Sequence, residues 1–220
     1  MINVDGKVYW MGKSDFFIYE GAVREIPCPV KYFVTDRINK DEFDKCFAAH
    51  NKEFNEVTWF YVSSDNTATD GNPEPDSYVT YNYADNAWSI GAMSRTCWFD
   101  SFGFRKVPFS FSSDGYLYNQ ETGDDADGSA LSAHAETSPM EISVTGQSLM
   151  LVDKIIPDLT ISGSLSCTVY AKKYPNGTAT TKGPFTISSD TTKISMRSRG
   201  RQMSLKLEST AVGDSWSLGI

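Results

Sequence analysis

The chain has 220 residues, of which 40% are hydrophobic and 13% aromatic, enough apolar material for a packed core in one large domain or two small ones. Its formal net charge is −8, no apolar run approaches the roughly 20 residues that a membrane-spanning helix needs, and the first residues lack the pattern of a secretory signal. These features argue against a disordered chain and predict a protein without a membrane anchor.

The charge is distributed unevenly along the chain. Residues 1–128 hold 21 acidic and 11 basic side chains, a net charge of −10, whereas residues 129–220 hold 7 and 9, a net charge of +2. A general nucleic-acid binder is expected to carry a dominant basic patch, and this charge balance argues against one. The change in composition predicts two domains, 1–128 and 129–220.

Aromatic strands and glycine turns begin the first predicted domain. Turn residues at 5–6 and 12–14 predict a β-hairpin over residues 7–21. Similar aromatic cores recur around three tryptophans: Trp10, Trp59 and Trp98. A loose period of about 40–50 residues, built of short strands and Gly/Asp turns, is typical of β-propeller blades. An irregular antiparallel meander is the alternative.

One short helix is predicted at about residues 40–50. Asn39 and Glu42 match a capping box. The residues that follow place four side chains on one helical face, at i, i+3, i+4 and i+7: Phe43, Cys46, Phe47 and His50. We expect this helix to fill a gap between sheets, with His50 as a structural histidine rather than a ligand. Residues 64–76 contain two prolines and predict an exposed loop.

Residues 78–128 predict further hairpins and one acidic cluster. Turn residues at 84–87 and 113–115 separate aromatic strands. The cluster at 121–128 fails the calcium-loop pattern, because positions one and twelve would be Gly123 and His134. Asp125 and Asp127 are the candidate metal ligands there, against a solvated linker between the domains. We predict the linker, and no metal.

Seven short strands are predicted after residue 128: 131–137, 148–152, 165–170, 185–187, 194–196, 203–207 and 216–218. Their spacing, with Pro/Gly/Asn turns between them, is typical of an antiparallel β-sandwich. The buried parity changes between residues 196 and 203, which predicts a β-bulge near Gly200. Arg197, Arg199 and Arg201 share one parity and are candidate interface residues, for an acidic neighbour or DNA phosphate. An ordinary solvated strand face is the alternative.

The sequence shows no catalytic constellation. His50 and His134 lie beside no obvious nucleophile, and neither Gly-x-Ser-x-Gly nor His-Glu-x-x-His occurs. Four cysteines are widely spaced without a Cys-x-x-Cys pair, which predicts buried thiols. A carboxylate pair of the glycosidase kind is the remaining enzymatic alternative, but the acidic residues are too numerous to nominate two. We therefore expect a non-enzymatic protein without a cofactor.

Six segments, taken in order, resemble one family: NKDEFDKCFAAHNKEFNEVTWFY, YVTYNYADNAWSIG, SDGYLYNQETGDDADG, VDKIIPDL, KKYPNGTATTKGPFTIS and RSRGRQMSLKLESTAVGDSWSLG. The family is that of the packaged-DNA stabilisation or tail-nozzle (tail hub) proteins of short-tailed double-stranded DNA phages, and the resemblance, to their C-terminal part, covers most of residues 1–220. It implies an all-β protein: a partial β-propeller-like meander with one short helix, followed by a C-terminal antiparallel β-sandwich. Members are longer on both sides, which implies unpaired strand edges that invite another chain.

The resemblance also implies a function. It predicts a structural virion protein of a phage tail or neck that assembles by subunit contacts, in a ring beneath the portal and adaptor, and helps to seal or conduct packaged DNA. The expected partners are portal, adaptor, needle or fibre proteins and further copies of the chain, for which a hexameric ring is one form, with DNA only as the passing genome. The expected location is the virion tail, and the host cytoplasm during assembly.

A receptor- or glycan-binding tail module is the alternative. In that case exposed aromatic side chains such as Trp59, Trp88 or Tyr116 would stack on sugars. Core packing is the commoner role of such residues.

Overall fold

The computed structural model describes residues 1–68, 71–143 and 148–219. The chain is all-β, as predicted, and its strands pair antiparallel. It divides into two compact units, Met1–Thr122 and Gly123–Ile220, so the predicted boundary after residue 128 lies inside the second unit. In the described residues no helix is long and apolar enough to cross a membrane.

Sheet one is a four-stranded meander in chain order: β1 (Ile2–Val4), β2 (Lys7–Met11), β3 (Phe16–Tyr19) and β4 (Val23–Ile26). The predicted hairpin is confirmed by the pairing of β2 with β3. Asp5 and Gly6 connect β1 to β2 with φ angles of 49° and 84°. Two consecutive left-handed residues form the type I′ turn, which Asp-Gly favours.

The segment after sheet one corrects the predicted helix at residues 40–50. The α-helix lies earlier, at α1 (Lys31–Arg37), and residues Lys40–Lys45 form a 3₁₀ helix. Asn39 does accept a hydrogen bond from the Asp41 amide at 3.1 Å, but the helix ends before Cys46. The next residues, from Phe47, are a strand. As a strand, these residues form backbone hydrogen bonds with the next segment of the chain. A short helix could not form those hydrogen bonds and is only marginally stable by itself.

Sheet two is a second meander: β5 (Phe47–Asn51), β6 (Glu56–Tyr61), β7 (Ser77–Asn82) and β8 (Ala87–Ala92). The predicted turn at 84–87 is confirmed, and Asn82 Oδ1 accepts hydrogen bonds there from the amides of Ala84 and Asp85. The loop at 64–76 contains no helix or strand in its described residues.

Sheet three has three strands: β9 (Cys97–Phe99), β10 (Phe109–Phe111) and β11 (Leu117–Asn119). The predicted turn at 113–115 joins β10 to β11, and Asp114 Oδ1 accepts a hydrogen bond from the Tyr116 amide at 3.0 Å. Gly115 has a φ of 85°, which glycine adopts without a steric cost.

The three sheets stack face to face in chain order. Between sheets one and two, the Phe16 ring lies 5.0 Å from the Trp59 ring and 4.8 Å from that of Trp88. Between sheets two and three, Trp98 Nε1 donates a hydrogen bond to the His50 carbonyl at 3.1 Å, and its ring lies 6.1 Å from Phe60. Sequential antiparallel meanders packed in this way are the arrangement of propeller blades.

Gly91 on β8 is the position of closest packing in sheet two. It lies directly opposite Tyr78 on β7, and a Cβ atom at Gly91 would collide with the Tyr78 ring. We expect Gly91→Ala to displace this ring and to lower the free energy of unfolding by about 1–3 kcal/mol, measured by urea denaturation. Ser89→Ala, on the same face of the same strand, is the control. Equal stability of the two variants would contradict this packing.

The second unit contains ten strands in its described residues: β12 (Asp125–Ala126), β13 (Ser129–Ala130), β14 (Ala133–Glu136), β15 (Met150–Ile155), β16 (Leu159–Ser162), β17 (Leu165–Lys172), β18 (Thr180–Ile187), β19 (Ile194–Gly200), β20 (Gln202–Ser209) and β21 (Ser215–Leu218). All seven predicted strands are confirmed, and three were missed: β12, β13 and β16. Four strands form one sheet in the order β14-β20-β17-β18, while β15 pairs with β19 and β16 with β21.

The core of this unit lies between the four-stranded sheet and the strand pairs. Leu165 and Cys167 on β17 are buried together with Ile187 and Leu207 from the neighbouring strands of the same sheet. The strand pairs contribute Ile194, which is buried, and partly buried side chains packed against the same cluster: Ile155, Leu159, Ile161 and Trp216. Two antiparallel layers with one apolar core between them are a β-sandwich.

The predicted β-bulge near Gly200 is wrong. The buried parity changes there because the chain leaves one strand pair and enters the four-stranded sheet: β19 ends at Gly200, and β20 starts at Gln202. Arg201 connects the two strands, and its amide donates a hydrogen bond to the Lys172 carbonyl at 2.7 Å. Two irregularities in pairing lie elsewhere, between Val152 and Lys154 where β15 pairs with β19 and between Cys167 and Val169 where β17 pairs with β18.

Candidate functional site

The face of sheet one that points away from sheet two carries aromatic side chains, with Asn3 and Glu25 beside them. Trp10 and Phe17 are cross-strand partners on this face, and their rings stack with centroids 5.4 Å apart. Tyr19 and Val23 are paired on the same face and are both exposed. We term these residues, with Val8, the first end face. A cleft of about 520 Å³ includes four of them in its lining: Val8, Trp10, Tyr19 and Val23.

The face of sheet three that points away from sheet two also carries aromatic side chains, with Arg105 over the Phe109 ring at 4.4 Å and bonded to Asn119. Phe99 and Phe109 are cross-strand partners, and their rings stack at 4.9 Å. Phe102 packs against Phe109 at 6.3 Å, and the neighbouring Phe104 is 93% exposed. We term this set the second end face: Phe99, Phe102, Phe104, Phe109, Phe111 and Leu117. Both outer surfaces of the stack therefore present aromatic side chains.

The three candidate interface arginines do not all lie together. Arg197 and Arg199 are exposed on β19, whereas Arg201 lies beyond the strand and is half-buried. Arg199 and Arg201 line a cleft of about 490 Å³ with three other residues: Leu149, Lys173 and Tyr174. The structure thus brings two of the three arginines together with a lysine and leaves Arg197 outside the cleft.

The candidate metal ligands Asp125 and Asp127 belong to a hairpin. Asp125 Oδ1 accepts a hydrogen bond from the Gly128 amide at 2.9 Å, and Asp127 and Gly128 form the two-residue turn between β12 and β13. The predicted linker is therefore a short β-hairpin. In residues 1–68, 71–143 and 148–219, no group of three His, Cys, Asp or Glu side chains is placed to hold a metal ion.

The aromatic residues considered for sugar stacking differ in accessibility. Trp59 is only 2% exposed, in the core between sheets one and two. Trp88 packs on Phe16, and its Nε1 donates a hydrogen bond to the Pro27 carbonyl at 3.1 Å. Tyr116 is 68% exposed. Of the three, Tyr116 alone presents most of its ring to solvent.

His50 and Cys46 are both partly buried. Burial lowers the pKa of His50, although the nearby negative charge of Asp100 opposes the shift. Its Nε2 lies 3.2 Å from the Tyr83 hydroxyl. Burial raises the pKa of Cys46 to about 11, so this thiol stays protonated at neutral pH. Protonated thiols are poor nucleophiles and poor metal ligands.

A polar cavity of about 220 Å³ lies between sheets two and three. Seven polar residues are in its lining: Asn51, Glu56, Thr58, Tyr78, Thr80, Ser89 and Glu121. These residues were not predicted from the sequence to form a site. The sequence pattern that indicates a polar face is the alternation along β6, where Glu56 and Thr58 lie on the face opposite to buried Val57 and Trp59.

Three of these side chains form a contiguous cluster. Asn51 and Glu56 are direct cross-strand partners at the end of the β5–β6 hairpin. Asn51 Nδ2 donates a hydrogen bond to Glu121 Oε1 at 2.9 Å, so that carboxyl reaches inward although the residue as a whole is exposed. Asn51 is only 4% exposed, and its Oδ1 has no hydrogen-bond partner in the described part of the chain.

Both carboxyl groups in the cavity are costly to ionise. Burial raises the pKa of Glu56, and the negative charge of Glu121 adds to the effect. Burial also raises the pKa of Glu121, and Glu53 adds to it, while the hydrogen bond from Asn51 opposes the shift. The two carboxyl groups therefore lie close enough together for the charge of Glu121 to disfavour ionisation of Glu56.

The raised pKa values predict a pH-dependent loss of stability. A carboxyl whose pKa is higher in the folded state than its ordinary value of 4.5 ionises first in the unfolded chain. The free energy of unfolding then falls as the pH rises from that value through the raised one. We expect Glu56→Gln to remove part of this loss, so that urea denaturation with a chelator present shows a more stable variant at neutral pH and little difference near pH 4.

The matched control is Asp65→Asn, which alters an exposed carboxyl in the 64–76 loop. Its stability should follow that of the unsubstituted chain at every pH. A Glu56→Gln variant that is less stable than the unsubstituted chain at neutral pH would show that the ionised carboxylate stabilises the fold.

No protein family and no curated protein matches the chain.

Proposed function

We propose that this chain is a non-enzymatic structural protein of a phage tail or neck, a nozzle or hub component that assembles with other chains and helps to seal or conduct packaged DNA. The observation that supports it is the stack of three blade-like sheets, whose two outer surfaces both carry exposed aromatic side chains. Between sheets one and two, aromatic side chains such as Phe16 and Trp59 are covered by the neighbouring sheet. The end faces are suited to the same kind of contact.

Exposed aromatic surfaces of this kind are uncommon on monomeric proteins and mark interaction sites. The first end face contains the Trp10–Phe17 stack, and the second contains the Phe99–Phe109 stack. Aromatic side chains are enriched in protein interfaces because they bury a large area with few rotatable bonds. Either face can pack against a β-sheet of another chain.

The partners in this proposal are the proteins that the sequence resemblance implies: portal, adaptor, needle or fibre proteins and further copies of this chain in a ring. Arg197 and Arg199, exposed on β19, are available for contacts with an acidic neighbour. DNA would pass without being held, because the −10 charge of residues 1–128 repels phosphate. The protein would act in the virion tail and pass through the host cytoplasm during assembly.

The proposal predicts that charges introduced on the end faces weaken assembly. Val23→Glu alters the first end face and Phe104→Glu the second, and both side chains are exposed, so neither variant is expected to lose its fold. We expect the purified chain to associate in light-scattering measurements over a range of concentrations, or to join portal–adaptor assemblies from the same virus. Each variant should do so more weakly.

Tyr32→Glu on α1 is the control, because Tyr32 is an exposed aromatic residue outside both end faces. A chain that stays monomeric and does not join portal–adaptor assemblies would contradict the proposal. Binding on a glycan array that Tyr116→Ala removes would favour the receptor-binding module instead.

A further inference from the structure

We propose that two copies of this chain close a six-bladed β-propeller, with three blades from each copy, in which the first end face of each packs against the second end face of the other. This inference rests on the proposed role of the end faces in assembly, and it names their partner as a second copy of the chain. Three features of the first unit support this partner: the convergence of its first strands, the number of its sheets and the opposite charges of its two end faces.

The first strands of the three sheets lie next to one another. β1 contacts β5, and β5 contacts β9. Farther out, large aromatic side chains fill the space between sheets one and two, among them Phe16, Trp59 and Trp88. Sheets that come together at their first strands radiate from a common axis, as the blades of a propeller do. The two end faces are then the two sides of an open sector that further blades would close.

The number of sheets indicates how many copies close this sector. Propellers have about four to eight blades, and the first unit contains three in its described residues. Two copies supply six blades, which lies within that range, whereas three copies would supply nine. A second copy is therefore the partner that completes the ring.

The order of the sheets determines which faces meet. Within one copy, sheet one packs on sheet two through Phe16 and Trp59, and sheet two packs on sheet three through Phe60 and Trp98. A ring that continues this order places sheet three of one copy against sheet one of the other. Because a two-fold axis relates the copies, the same contact forms twice.

The charges of the end faces favour this contact over the packing of like faces. The first end face carries Glu25, which is exposed and pairs with Phe17. The second carries Arg105, which lies over the Phe109 ring. Packing two first end faces together would put a glutamate on both surfaces, and packing two second end faces would put an arginine on both. Only first-to-second packing places opposite charges on facing surfaces, and such complementarity selects the partner surface.

Phe104 provides an apolar knob for this contact. Phe102 and Arg105 exchange two backbone hydrogen bonds, of 3.0 and 2.8 Å, so the two residues between them form a tight turn. Phe104 lies in this turn and is 93% exposed. The cleft of about 520 Å³ beside Val23 on the first end face is lined by apolar and aromatic side chains and can receive this ring.

The test is the mass of the full chain in solution, measured by light scattering over a range of concentrations. We expect a species of twice the 24.4 kDa chain mass that does not grow further, since a closed ring leaves no end face free. Val23→Glu and Phe104→Glu should each weaken the dimer by about tenfold or more, because the new charge is buried in both contacts. Tyr32→Glu, outside both end faces, should dimerise like the unsubstituted chain.

A mixture of the two variants tests which faces meet. In a mixed dimer, one contact joins the unaltered first end face of the Phe104→Glu copy to the unaltered second end face of the Val23→Glu copy. Neither variant can form such a contact with itself. We therefore expect an equal mixture to dimerise at concentrations at which each variant alone is monomeric, although more weakly than the unsubstituted chain. Circular dichroism checks that both variants are folded.

A chain that stays monomeric at about 1 mM would overturn the inference, and so would oligomers that grow with concentration. Dimers that persist in one of the two glutamate variants, with no gain on mixing, would mean that like faces meet and would overturn it as well. Joining portal–adaptor assemblies is a separate measurement. A dimer that does not join them contradicts the proposed function alone, and a monomer that joins them contradicts this inference alone.

Discussion

Replacing Trp59 with alanine should lower the free energy of unfolding by about 3–5 kcal/mol, the range for a large aromatic side chain removed from a packed core. Trp59 is 2% exposed and packs on Phe16 across the interface between sheets one and two. It also stacks on Trp88 within sheet two at 6.0 Å. Alanine would leave a cavity at the point where the two sheets are held together, and urea denaturation followed by circular dichroism measures the loss.

Trp10→Ala is the matched control for this prediction. Trp10 is the same residue type, but it lies half-buried on the first end face, where it stacks on Phe17. Its removal should cost clearly less than that of Trp59. Equal losses would mean that the first end face is already packed against protein in the isolated chain, and would remove the support for its role in assembly.

Trp59→Phe separates packing from hydrogen bonding at the same position. Nε1 of Trp59 is buried without a hydrogen-bond partner among the described residues. Phenylalanine removes this unpaired donor and keeps most of the aromatic surface. We therefore expect a smaller loss of stability than with alanine.

The longer core strands of the second unit, β17 and β20, could be predicted from the sequence because apolar and polar side chains alternate along them. Period-two alternation is clear along β17, where Leu165, Cys167 and Val169 are buried and the residues between them are partly exposed. Such a pattern is local and survives without knowledge of the partner strand. β12, β13 and β16 were missed; the first two have two residues each, and β16 has four, none of them fully buried.

The segment around residue 47 shows where local patterns fail. Phe43 and Phe47 have helical spacing, but the structure assigns them to different elements. The Phe47 ring stacks on its cross-strand partner Phe60 at 4.9 Å. This contact joins residues 13 positions apart, and it outweighs a weak local preference for helix.

The polar cavity was beyond prediction for a related reason. Asn51 and Glu121 are 70 residues apart, and their contact depends on sheet three lying against sheet two. Acidic residues that are close together along the chain, such as those at 121–128, can be recognised in the sequence as a candidate metal site. Only Glu121 of that cluster belongs to the cavity. The second carboxyl group is that of Glu56 on β6, and a single glutamate in a strand is not a recognisable sequence motif.

Leu165→Ala should produce the largest loss in the second unit, about 2–5 kcal/mol in free energy of unfolding. Leu165 is 1% exposed, lies opposite Ile187 in the pairing of β17 with β18, and belongs to the cluster between the sandwich layers. The spread reflects how far the layers can close over the cavity. Leu151→Ala on β15 removes the same atoms from an exposed position and should change stability little in the same urea experiment. Similar losses for the two variants would contradict a core at Leu165.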